Sequence, residues 1–138
     1  MPAHAKTTLA PLLNVRNGAK AIGFYKAAFG AAEIFSTPPE SGSVVAQLTI
    51  AGAEFWLADE SPEHHNFSPE SLPSSTGSSR STVRIILIVD DPDAVFNQAV
   101  AAGASVVWPV ADQSYHWRVG RIADPFGHHW EIGKPLKD

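Results

Sequence analysis

The chain predicts an α+β protein made of two βαβββ modules in tandem. Three observations carry that reading: the order of periodic segments, a repeat between the two halves, and a strand–turn–strand unit near the C-terminus.

Taken in order, Leu9 to Val15 is a short apolar run and reads as a first strand, with Pro11 placing it at a sheet edge or strand start. Asn17-Gly18 is a turn signal. Ala21, Phe24, Tyr25, Ala28 and Phe29 then fall on one helical face, and Gly30 stops the helix. Strands follow at Ala32 to Ser36, Val44 to Ile50 and Glu54 to Ala58. Glu60 to Ser81 is rich in Ser and Pro, lacks apolar periodicity and reads as a long connecting loop, a lid or a plain linker. Thr82 to Val89 is the most apolar strand. Asp91 and Pro92 have the chemistry of an N-cap and first helical residue. Phe96, Ala99 and Val100 line that second helix, and Gly103 ends it. Ser105 to Trp108 reads as a strand, Pro109 to Ser114 as a loop, and Trp117 to Ala123 and Trp130 to Gly133 as the last two strands.

The halves superimpose as sequence. Val15 to Gly30 spans 15 positions and Val89 to Gly103 spans 14; Gly30 to Gly52 spans 22 and Gly103 to Gly127 spans 24. One βαβββ unit cannot bury both its helix stripe and its sheet face, so two units, or two chains, must close over each other. The expectation is one domain over residues 1–138, with modules at about 9–59 and 82–134 joined by loop 60–81.

Asp124-Pro125-Phe126-Gly127 is a turn in which Asp suits the first position, Pro presets φ at the second and Gly ends it. The hairpin brings Arg121, His128, His129 and Glu131 close together, with alternate residues sharing a face. The run from Arg118 to Trp130 resembles the closing motif of the vicinal-oxygen-chelate superfamily, the group of glyoxalase I, bleomycin-resistance proteins and extradiol dioxygenases, and within it the PhnB-like branch. The resemblance covers about residues 9 to 134. It implies tandem modules forming a curled mixed sheet around a cleft, commonly as a homodimer.

The composition narrows the function classes. The chain has 138 residues, a formal charge of −4 and no cysteine. No basic cluster suggests nucleic acid, and no thiolate or zinc–cysteine chemistry is available. The N-terminal residues lack an apolar h-region and no apolar run approaches membrane-spanning length, so a cytoplasmic protein is expected, with a small molecule as its partner and neither nucleic acid nor membrane.

In metal-dependent members of the resembled superfamily, four strand residues, His or carboxylate, hold a divalent ion that chelates two adjacent substrate oxygens. Carried over position by position, Glu131 matches. Its repeat partner falls on Trp56, or on Leu57 if the register slips. The first strand of the second module supplies Arg84, a permanent cation, and that of the first module Ala10 or Pro11. No cofactor is therefore certain, and a divalent metal stays as an alternative. His129 shares a strand face with Glu131, and His64 or His65 from the loop would have to complete a non-family metal site; the simpler expectation leaves His128 and His129 as turn and strand-surface residues. Arg84 reads two ways: an anion hook for a carboxylate or phosphate, or an internal ion pair with Glu131 or Glu54. Trp56 and Trp117 are the aromatic candidates for a ligand wall; Tyr115, Trp130 and Tyr25 read most simply as core or strand aromatics.

The resulting expectation is a small-molecule-binding or lyase-type protein with ligand contacts from Arg84, Trp56, Trp117 and Glu131, and Glu131 as general base if there is catalysis. The alternatives are a metal-dependent glyoxalase-like lyase or isomerase, and a non-catalytic drug-sequestering protein.

Overall fold

Both helices begin and end where local chemistry sets them. Asn17 accepts a hydrogen bond from the Lys20 amide at 3.1 Å, opening α1 (Gly18–Phe29), and Gly30 closes it in the left-handed conformation. Asp91 accepts from the Ala94 amide at 3.1 Å, opening α2 (Pro92–Ala102), and Gly103 ends it. The buried faces are the expected ones: Ala21, Phe24, Tyr25, Ala28 and Phe29 on α1, and Phe96 and Ala99 on α2.

The computed structural model describes residues 6–72 and 81–137. His4 and positions 73–80 of the connecting loop lie outside the described residues. The strands are β1 (Leu12–Val15), β2 (Ala32–Ser36), β3 (Val45–Ile50), β4 (Ala53–Asp59), β5 (Arg84–Ile88), β6 (Ser105–Asp112), β7 (Trp117–Ala123) and β8 (His129–Pro135). They form two mixed four-stranded sheets, ordered β1-β4-β3-β2 and β5-β8-β7-β6. The two orders are the same order, so the sequence repeat is also a structural one. Each sheet has one parallel pair, β1 with β4 and β5 with β8; its other pairs are antiparallel.

Three departures from expectation have clear physical reasons. The first strand starts at Leu12, because Leu9 is 99% exposed and has nothing to pack against. β6 runs on through Pro109 to Asp112. It is an edge strand with register shifts on either side of Trp108, where a missing amide donor is tolerated. Glu60 to Ser81 is not featureless. It holds two 3-10 turns, at Pro62–His64 and Pro69–Ser71, and the second is tied down by the Glu60 carboxylate, which accepts from the Ser68 amide and the Ser71 hydroxyl. Those hydrogen bonds hold the Glu60 carboxyl below its ordinary pKa.

The modules share one core. Trp130, on the inner face of β8, lies 5.5 Å from the ring of Tyr25, 4.7 Å from Phe29 and 5.5 Å from Phe55 of the first module. Full burial of such a side chain stabilises by about 1.5–3 kcal/mol, so these aromatics are the main glue between the halves. Asp124, 4% exposed, completes the junction. One of its oxygens accepts from the Phe126 and His128 amides, and the other from the Tyr25 hydroxyl and the Trp130 indole. A buried carboxylate is tolerated here because donors surround it. Burial first, then the Asp124 charge, pushes the Tyr25 phenol well above its ordinary pKa.

Candidate functional site

Strand alternation decides which residues reach the candidate site. Leu87, Ile122, Trp130 and Ile132 point into the core. Their neighbours Arg84, Ile86, Ile88, Arg121, His129 and Glu131 therefore lie on the outer face of the second sheet. Arg121 stands directly opposite Glu131 in the antiparallel pairing, and Ile86 stands beside Glu131 in the parallel one.

Glu131 is the centre of this face. Its Oε1 accepts from Arg84 Nη1 at 2.9 Å and from Arg121 Nη2 at 3.0 Å. The glutamate side chain is 19% exposed, Arg121 23% and Arg84 54%. One carboxylate between two guanidiniums gives the cluster a formal charge of +1. Arg121 Nε is buried and meets no hydrogen-bond partner among the described residues. His129 is next along the face; burial, then the Arg121 charge, lowers its pKa, so its imidazole is neutral at neutral pH.

Two hollows flank the cluster. One of about 430 Å³ is lined by Trp108, Gln113, Tyr115, Val119, Arg121 and Glu131, among others. A smaller one of about 190 Å³ is lined by Ile86, Tyr115, Trp117, Val119, Glu131 and Gly133. Glu131, Tyr115 and Val119 belong to both. A larger hollow of about 930 Å³ is lined by Ala51, residues 88–90 and residues 134–137; it gathers no comparable cluster of paired charges.

The expected site residues are thus partly brought together. Arg84 and Glu131 form the expected ion pair, while Glu54 instead accepts from Gln47. Trp117 shares the smaller hollow with Glu131. Trp56 does not join them. It occupies the position of the first sheet equivalent to Glu131, since Leu12 pairs with Trp56 as Ile86 pairs with Glu131. There it packs beside Phe35 at 6.4 Å, on a face turned away from the shared core. His129 lies on the Glu131 face. His64 instead hydrogen-bonds Ser61 at 2.7 Å, and His65 caps a 3-10 turn. His128 meets the Asn14 carbonyl at 2.8 Å across the module junction. Among the described residues, no three His, Asp or Glu side chains converge to hold a metal ion.

Arg121, Trp108 and Tyr115 join the site without a local signal in the sequence that assigns them to it. The hairpin geometry placed Arg121 near Glu131, but a second guanidinium on the same oxygen is a matter of register. Trp108 reaches the site because β6 continues past Pro109, where the sequence predicts an end to pairing.

A tandem pair of βαβββ modules, each with its carboxylate or aromatic position on the outer face of a mixed sheet, defines a class of fold rather than a reaction. A family model described as Glyoxalase/Bleomycin resistance protein/Dioxygenase superfamily matches residues 4–132, and the chain belongs to that superfamily. It is 38% identical to an uncharacterized protein of Mycobacterium bovis, over all of this chain and 90% of that protein. Among solved structures it resembles a gene product of Arabidopsis thaliana, with 30% identity, TM-score 0.67, and 94% and 100% of the two chains covered. It also shares its fold with the fosfomycin resistance protein FosX of Listeria monocytogenes, at 18% identity and TM-score 0.70, with 96% of each chain covered.

Proposed function

We propose that this chain is a small-molecule-binding or lyase-type member of the superfamily, of the PhnB-like branch, that works without the complete family metal set. The observation that carries the reading is the state of Glu131, the carboxylate at a family ligand position. Its Oε1 is engaged by two permanent cations, which repel a divalent ion from the place it would occupy. The donors present do not fit a metal: Glu131 and His129 share a face, and no third described side chain joins them.

The ligand sits in the hollows beside Glu131, against Arg84 and Trp117. If a proton is moved, Glu131 is the group placed to take it, through Oε2, which makes none of the described hydrogen bonds. Trp56 enters the same site only when a second copy places its first sheet over the second sheet of this one. The outer faces are suited to that: Leu12 is 51% exposed, Phe35 48%, Ile86 65% and Ile88 59%, and an apolar sheet face of this kind is normally covered. The homodimer, the single-domain organisation over residues 1–138 and a cytoplasmic location belong to the same proposal. For the last, no described helix is long and apolar enough to cross a membrane.

The test is a thermal-shift screen of small organic compounds with chelator present throughout. Stabilisation by an organic ligand, weakened in Arg84→Ala, is the expected result. A melt that falls on chelation, or hemithioacetal turnover that requires an added divalent ion, would overturn the proposal.

A further inference from the structure

The charge and shape of the Glu131 face narrow the ligand class, on the reading that this face is the binding cleft. We propose that Arg84 and Arg121 together bind the carboxylate of a planar aromatic monoanion, with Glu131 as the built-in counter-ion that holds the two guanidiniums side by side.

Four features support this. The Arg84–Glu131–Arg121 cluster carries a formal +1, which one carboxylate neutralises. Each arginine has five N–H donors in a planar fork, and the described bonds to Glu131 use one nitrogen of each, leaving donor edges for a second carboxylate. Arg84 is more than half exposed and reachable from solvent, and Arg121 lines the larger hollow. Finally, the walls are aromatic and open. Trp108 is 64% exposed and Tyr115 61%, an unusual exposure for such large rings, and both line the hollow next to Arg121. At about 430 Å³ that hollow is within the size range of small-molecule sites. An anion held at one end and a flat ring laid against Trp108 and Tyr115 use every one of these features. A cationic ligand would face the two guanidiniums.

Glu131 positions the arginines through Oε1. Without it two like charges would lose the one oxygen to which both donate, and neither side chain would keep its orientation.

The experiment is isothermal titration calorimetry, with chelator present, of a panel of benzoate, 2-naphthoate and indole-3-carboxylate against the matching amides. The expected result is that the acids bind roughly tenfold or more tightly than the amides, the effect of a charge-assisted pair. Arg84→Gln, at a position more than half exposed, should weaken the acids far more than the amides and so remove most of that preference. Arg121→Gln should do the same. Glu131→Leu, which takes away the acceptor shared by both guanidiniums, should weaken acid binding severalfold despite the added positive charge. Equal affinity for acids and amides would overturn the anion inference and leave the cleft reading standing. A phenylphosphonate that binds more tightly than benzoate would overturn the monoanion assignment. Binding of neither set would sink the cleft reading itself.

Discussion

At the scale of single residues, Asp124 and Glu131 show how differently two carboxylates on one hairpin are used. Asp124 is buried and satisfied by four donors, so it ties the closing turn to α1. Tyr25→Phe should therefore destabilise the protein by about 1–3 kcal/mol in urea denaturation, the cost of a buried acceptor losing a donor. The pH dependence has a definite sign. The Tyr25 phenol is raised in the folded state, so its contribution is present below about pH 10 and is lost as pH rises and the unfolded chain ionises first. Tyr25→Phe should flatten that alkaline loss. His129 acts in the opposite sense: its folded pKa is lowered. Its contribution is present above about pH 6.5 and lost as pH falls, so His129→Asn should reduce the acid-side slope of stability. The turn role of Asp124 was legible in the sequence because it is local. Its bond to Tyr25 was not, because that partner lies 99 residues away.

At the scale of elements, two glycines of one chain should respond in opposite directions. Gly120 lies in β7 where α2 comes closest; a Cβ there would stand 2.7 Å from Val110 Cγ2 and 2.8 Å from Phe96 Cε2. Gly120→Ala should cost about 1–3 kcal/mol through overpacking. Gly23 is in the interior of α1, exposed, with nothing within 4 Å of an added Cβ. Gly23→Ala should stabilise by about 0.5–1 kcal/mol, and equilibrium denaturation of both variants checks the pair. Helices were the most legible elements because Asn17, Gly30, Asp91, Pro92 and Gly103 declare their ends locally. Strand ends were less so. Pairing partners set them, which is why β6 continues past Pro109 and why the apolar run of β5 belongs to an edge strand with Ile86 and Ile88 exposed.

At the scale of the whole molecule, the duplicated modules explain both the fold and the unfinished look of the site. The repeat and the closing turn were readable because they recur along the chain. The equivalence of Trp56 and Glu131 was readable for the same reason; their separation in space was not, because each is on an outer face that the other module of the same chain does not cover. Light scattering should find a dimer at micromolar concentration. Leu12→Lys with Ile88→Lys should shift it to monomer while the Trp130-centred core keeps its cooperative melt. The central claim, a ligand site organised by guanidiniums in place of a metal, is tested most directly by dialysing the purified protein against Mn²⁺, Ni²⁺ and Zn²⁺ and measuring bound metal by elemental analysis. The account predicts far less than one ion per chain and a melt indifferent to chelator. Close to one ion per chain, lost in Glu131→Gln, would contradict it.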